Sequence, residues 1–164
     1  HPGPYGWLYW CKGPFAKQTY ERPGKPPFVT RASHIFRARP DGTGIEPVMT
    51  GGMDNPVDVA FTPTGERILS CTFFQNPEGG KRDGLIQAIY GGVYGKVHDV
   101  LNDQIRTSPD VLPVLSHLGP AAPCGLTAYE SNVFGNEYRE VKTREELGLG
   151  VAETEERPKK KSKK

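Results

Sequence analysis

Asn55-Pro56-Val57-Asp58-Val59-Ala60-Phe61-Thr62-Pro63-Thr64-Gly65-Glu66-Arg67-Ile68-Leu69-Ser70-Cys71-Thr72-Phe73-Phe74 reads as one β-hairpin. Val57, Val59 and Phe61 alternate with other residues, the two-residue period of a strand with one buried face. Pro63 fixes φ and Gly65 tolerates positive φ, so Thr62 to Gly65 is a turn. The run that follows, 67–73, is rich in β-branched and aromatic residues that suit a pleated surface. Residues 57–61 and 67–73 are therefore expected to pair.

The same grammar appears at the start of the chain, where Pro4-Tyr5-Gly6 leads into Trp7-Leu8-Tyr9-Trp10. A related opening stands at Ala122-Pro123-Cys124-Gly125-Leu126-Thr127-Ala128-Tyr129. Further strands are expected at Phe28–Arg31, at His34–Ala38 before the turn Pro40-Asp41-Gly42-Thr43-Gly44, and at Gly84–Tyr90 before Gly91-Gly92. Residues 96–110 are polar and fit a short helix or an ordered loop. Pro4 and Pro63 are 59 residues apart, and Pro56 and Pro123 are 67 apart. A period of roughly 60 with several strands per unit points to propeller blades with long loops, longer than the ~40–45 residues of WD40 repeats. A sandwich with long loops fits the same pattern.

Composition agrees with an all-β chain. Gly and Pro make up 36 of 164 residues and are scattered among aromatic and β-branched ones, which excludes a helical bundle. No apolar run reaches the length of a membrane span. The net charge of +2 belongs to the end of the chain. Six of the 21 basic residues lie in 157–164, leaving 15 basic against 19 acidic, so the body is near −4. No nucleic-acid groove is expected, and Lys160-Lys161-Ser162-Lys163-Lys164 reads as a solvated end. Thr143-Arg144-Glu145-Glu146 fits a capping box for a brief helix, and 153–164 reads as disordered. Cys11, Cys71 and Cys124 are odd in number with no Cys-x-x-Cys, so buried thiols are expected, with one disulfide left open. The chain opens on His1 with no signal-peptide pattern, which suggests a piece of a larger protein.

Five motifs in order resemble the glucose/sorbosone dehydrogenase family of six-bladed β-propellers. They are Gly3-Pro4-x-Gly6-x-Leu8-Tyr9, Ile35-Phe36-Arg37 with Asp41-Gly42, Asn55-Pro56-x-x-Val59-Ala60-Phe61-x-Pro63-x-Gly65, Tyr90-Gly91-Gly92-x-Tyr94-Gly95, and Ala122-Pro123-x-Gly125-Leu126 through Tyr129 and Phe134 to Tyr138-Arg139. The runs Arg31–Gly42 and His117–Pro123 are similar to the haem-linked, membrane-bound dehydrogenases of planctomycete-like bacteria. The resemblance implies an incomplete β-propeller over 1–139, two to three blades of a six-bladed parent, and a polar Lys-rich tail over 140–164. An open arc of that kind exposes edge strands, and a marginal, aggregation-prone product is expected of it.

The resemblance also implies a parent that oxidises a sugar or polyol in an extracytoplasmic space. Such a parent carries pyrroloquinoline quinone and calcium and passes electrons to a c-type cytochrome. The family's catalytic His lies before the Gly-Pro motif, so no catalytic residue is expected within 1–164. The family's quinone-facing Arg is matched by Asp54, a charge reversal, while Asn55 and Pro56 keep the pattern. His34 matches a family Lys, and Thr72-Phe73-Phe74-Gln75-Asn76 replaces the calcium loop. Candidate cofactor- or substrate-binding residues are therefore Asn55, Asp54, His34 and His117, with no metal ligands assigned.

Each has a plainer reading: His34 as a half-buried strand histidine, Asp54-Asn55-Pro56 as a capped turn, Asp58 as the polar side of its strand. Trp7, Tyr9 and Trp10 read as core and His98 as solvated. The rival function is a non-catalytic propeller module that binds carbohydrate or a protein partner.

Overall fold

The computed structural model describes residues 1–73, 81–105, 109–131 and 133–134. His1–Ala128 form one compact unit and Tyr129–Lys164 a second. In the second, the Phe134 amide donates to the Tyr129 hydroxyl oxygen at 2.8 Å, and the two rings lie 5.3 Å apart. The expected boundary near 139 and the tail lie outside the described residues, as does the capping box.

The first unit is all-β. Its strands are β1 Leu8–Lys12, β2 Gln18–Arg22, β3 Lys25–Thr30, β4 Ser33–Ala38, β5 Glu46–Gly51, β6 Asn55–Phe61, β7 Arg67–Thr72, β8 Asp83–Gln87, β9 Val93–Tyr94 and β10 Ser116–Gly119. They form a four-stranded sheet β1-β4-β5-β9, a second sheet β6-β7-β8-β10, and the hairpin β2-β3. The second sheet is antiparallel throughout, and the first is antiparallel except for β9, which runs parallel to β5.

The expected hairpin is present as β6 and β7, with Asn55 opposite Thr72 and Phe61 opposite Arg67. Its turn is closed by the Gly65 amide donating to the Thr62 carbonyl at 2.8 Å, with Gly65 at φ 87°. Pro4–Gly6 forms a 3-10 turn before β1, as Pro63–Gly65 turns before β7. Each turn is followed by three strands in hydrogen-bonded order, β1, β4, β5 in one sheet and β7, β8, β10 in the other. On its other side β7 pairs with β6, and β1 pairs with His1 and Pro2 through an isolated bridge and two main-chain bonds at Tyr9.

The two sheets pack face to face. Tyr9, Ile35 and Met49 from the first meet Val59, Leu69, Cys71 and Ile86 from the second, with Met53, Phe73 and Tyr94 closing the cluster. These side chains are almost wholly removed from water. Truncating one of them, Leu69 for example, costs about 2–5 kcal/mol by lost transfer energy and the cavity left behind. The other face of the first sheet carries Phe36, covered by Tyr20 and Phe28 of the β2-β3 hairpin and by Trp10. Tyr9 is core as expected. Trp7 is half-buried against the same cluster, and its ring also meets two guanidinium groups, Arg37 at 4.2 Å and Arg39 at 3.8 Å.

Two expectations need correction. No strand opens at 122–129: that stretch is irregular, and its Ala122 and Leu126 amides are given to carboxylates of the second sheet, Asp83 and Asp58. The strand expected over 84–90 ends at Gln87, where Ile89 and Gly92 enter a turn and Tyr94 donates its hydroxyl to the Gln87 carbonyl at 2.8 Å. The strand β2 was not expected; its turn uses Pro23-Gly24, with Gly24 at φ 74°. Residues 96–105 hold one 3-10 turn, Asp99–Leu101.

All three thiols are free, but the expected burial holds in full only for Cys71: Cys11 is half-buried and Cys124 is exposed on the irregular segment after β10. Burial, then the neighbouring Asp58 charge, pushes the Cys11 thiol up to about 11, and burial also raises Cys71. A thiolate is the reactive form. Ellman titration of the folded chain is therefore expected to consume Cys124 quickly and the other two only on denaturation; rapid reaction of all three would contradict this packing.

Candidate functional site

The registers gather chemistry at one end of the sheets. Lys12 at the end of β1 lies opposite His34, and Ser33 opposite Gly51. In the second sheet Asn55 lies opposite Thr72, Thr72 opposite Asp83, and Asp83 opposite Gly119. The short link 52–54 joins the two ends: the Ser33 hydroxyl donates to the Met53 carbonyl, and the Asp54 amide to the Thr72 carbonyl at 3.1 Å.

Asp54 is a closed ion pair. Lys96 Nζ lies 2.6 Å from its Oδ2 and 2.8 Å from its Oδ1, and the carboxylate side chain is 10% exposed. A methyl group at Gly52 would overlap the Lys96 carbonyl oxygen, so the backbone segments carrying the pair are pressed together. Lys96→Met leaves Asp54 unpaired in this enclosed place and is expected to cost about 1–2 kcal/mol. Urea unfolding checks it, and an unchanged midpoint would contradict the pairing. Asn55 is exposed beside it.

His34 is buried in full and its ring is saturated. Nδ1 lies 3.2 Å from the Met49 carbonyl, an acceptor only, so it carries the proton; Nε2 then accepts from the Thr30 hydroxyl at 2.6 Å. The Ala32 amide donates to the same Thr30 oxygen at 3.1 Å. Burial drives the imidazole down to about 4, with the Lys12 charge acting the same way and the Met49 bond opposing. It is a neutral packing group against Phe28 and Phe36.

His117 on β10 is exposed, its ring edge-to-face with Phe73 at 5.9 Å. The strand ends thus carry Asn55 and His117 exposed, Asp54 largely enclosed with Lys96, and His34 fully buried.

Asp83 and Asp58 hold the segment that follows β10. Asp83 has no exposure, and its Oδ2 accepts from the amides of Ala121 at 2.8 Å and Ala122 at 2.9 Å. Its Oδ1 accepts from the Thr72 hydroxyl at 2.7 Å. Burial acts to raise this carboxyl, but the bonds from Ala122, Thr72 and Ala121 and the Arg82 charge outweigh it and hold it below its usual range. Asp58 Oδ2 accepts from the Leu126 amide at 3.1 Å. Residues 121–126 therefore run back from β8 toward β6, the edge strand of that sheet. Sequence reasoning missed Asp83 and Lys96, since an isolated Asp or Lys in a polar stretch carries no signal of its partner.

Beside the Asp54 pair lies a more open cluster. His98 Nδ1 is 2.5 Å from Asp99 Oδ1, and both terminal nitrogens of Arg31 stand 3.5 Å from Asp99 Oδ2. The Phe15 ring meets His98 edge-on at 5.4 Å. His98 is part-buried and partnered here, where a solvated loop residue was expected.

No family model, no curated protein and no solved structure matches the chain.

Proposed function

We propose that the chain contributes two successive blades to a β-propeller of the glucose/sorbosone dehydrogenase kind, and that its strand-end face binds a sugar or polyol without turning it over. The blade reading is supported by the repeated unit: a Pro-x-Gly turn, then three strands in hydrogen-bonded order, then a link toward β6. The link is 52–54 after β5 and 120–126 after β10. Two such sheets fall short of the four or more blades that close a ring.

The parent of that kind would use pyrroloquinoline quinone, calcium and a cytochrome partner, but the described residues fit the first two poorly. At the position of the family's Arg, the pair Asp54–Lys96 offers no net positive charge to a tricarboxylate quinone. Asp83 spends its oxygens on three donors, which leaves little for calcium, a cation that takes 6–8 oxygens. His34 cannot serve as a base.

The Asp54–Lys96 pair is the observation that carries the binding reading: it cancels its own charge, so the face offers no net charge and suits a neutral polyhydroxy ligand over an anion. Calorimetric titration with glucose and with sorbitol, run beside a dye-reduction assay, tests it. Saturable heat without dye reduction is expected. Dye reduction by this chain, or no saturable heat with either compound, would overturn it.

A further inference from the structure

Phe15 sits at φ 78°, a left-handed conformation that costs a non-glycine residue roughly 1–2 kcal/mol. Its neighbours impose that conformation. The Phe15 amide donates to the Arg31 carbonyl at 2.8 Å, the Ala16 amide to the Pro14 carbonyl at 3.1 Å, and buried Lys12 Nζ to the Ala16 carbonyl at 3.4 Å. What the strain achieves is the outward placement of an aromatic ring, 51% exposed, against the His98 edge. Core packing does not need it there.

The charged groups next to the ring are unlike those at Asp54. Arg31 and Asp99 stand 3.5 Å apart with side chains 44% and 56% exposed, whereas a tight charge-assisted bond is about 2.7–2.9 Å. Guanidinium hydrogens and carboxylate lone pairs are thus available to a third party. His98 Nδ1 stands 2.5 Å from Asp99 Oδ1 and accepts from the Val100 amide at 3.3 Å, so the ring is held through that nitrogen and its other nitrogen is a further polar group.

We propose that Phe15, Arg31, His98 and Asp99 form a subsite for a pyranose ring. This rests on the binding reading above and gives it a location. A pyranose has an apolar C–H face that stacks on an aromatic ring. Its vicinal hydroxyls present paired donors and acceptors at a spacing that a carboxylate and a guanidinium can share. A phosphorylated or carboxylated ligand fits less well, because Asp99 faces the same space as Arg31. The preset ring and loop lower the ordering cost of binding.

The test is saturation-transfer NMR with methyl β-glucopyranoside on the full chain, comparing the parent with Phe15→Gly, Asp99→Asn and Tyr5→Gly. Glycine relieves the backbone strain at 15, so that variant is expected to melt no lower than the parent while its affinity falls about tenfold or more. Asp99→Asn is expected to weaken binding similarly. Tyr5, another exposed aromatic at positive φ but at the opposite end of β1, supplies the control, and Tyr5→Gly is expected to bind like the parent. Parent-like affinity in Phe15→Gly and Asp99→Asn would overturn the subsite and leave the binding reading standing. No saturable transfer to the parent itself would overturn both.

Discussion

Asp83→Ala is expected to destabilise the first unit by about 3–5 kcal/mol, the range for removing one member of a buried charged network. The substitution strands the amides of Ala121 and Ala122 and the Thr72 hydroxyl, all of which donate to this one carboxylate. In a domain of this size such a loss lowers Tm by roughly 10 °C or more. Asp83→Asn keeps the shape but turns an oxygen pair into one oxygen and one amide, so one of the two oxygens' donors meets another donor; a smaller loss in the same direction is expected. Thermal unfolding followed by circular dichroism checks both. Because the folded carboxyl is held below 3.8, its contribution is present above that pH and is lost as pH falls further, through the folded value. A Tm for Asp83→Ala within a degree or two of the parent would show that 121–126 does not rest on this carboxylate.

The second large effect is acid destabilisation at His34. The folded ring titrates near 4 and the unfolded one at 6.5, so the fold binds the neutral form. Stability from this preference is complete above pH 6.5 and declines as pH falls toward 4, by about 3 kcal/mol in all. The physical cause is a sealed site: a protonated ring would add charge beside buried Lys12, among Phe28 and Phe36, with no carboxylate partner. His34→Gln keeps a neutral donor and acceptor in place and is expected to flatten the stability profile between pH 6.5 and 4. Guanidinium titrations across that interval measure it. A variant with the parent's full slope would place the titrating group elsewhere.

The hairpin β6-β7 was legible because alternation, a Pro-x-Gly turn and β-branched residues coincide within 20 residues. The turns at Pro4 and Pro63 were legible too, and each precedes three strands in hydrogen-bonded order. What blurred the period is inserted chain. Residues 13–32 carry the β2-β3 hairpin between β1 and β4, and 88–115 carry β9 and a 3-10 turn between β8 and β10. The β2 strand was hidden by its own composition, since Gln18, Glu21 and Arg22 give no apolar alternation and β3 contains Pro26 and Pro27. At Ala122-Pro123-Cys124-Gly125-Leu126 the motif looked like a strand opening, but carboxylates 39 and 68 residues away claim the Ala122 and Leu126 amides. The site was legible only in outline. Asp54 and Asn55 drew notice by position, yet the cation that closes on Asp54 lies 42 residues further on, a pairing that local sequence does not encode.

Binding of pyrroloquinoline quinone is the most direct discriminator between a hydroxyl-binding face and a redox one. Absorbance titration of the full chain with that quinone in the presence of calcium measures it. With Asp54 neutralising Lys96 and Asp83 saturated by its own donors, no saturable, calcium-dependent binding is expected, and glucose is expected to cause no dye reduction afterwards. Saturable binding that requires calcium and supports dye reduction would contradict the account and make this face a redox centre.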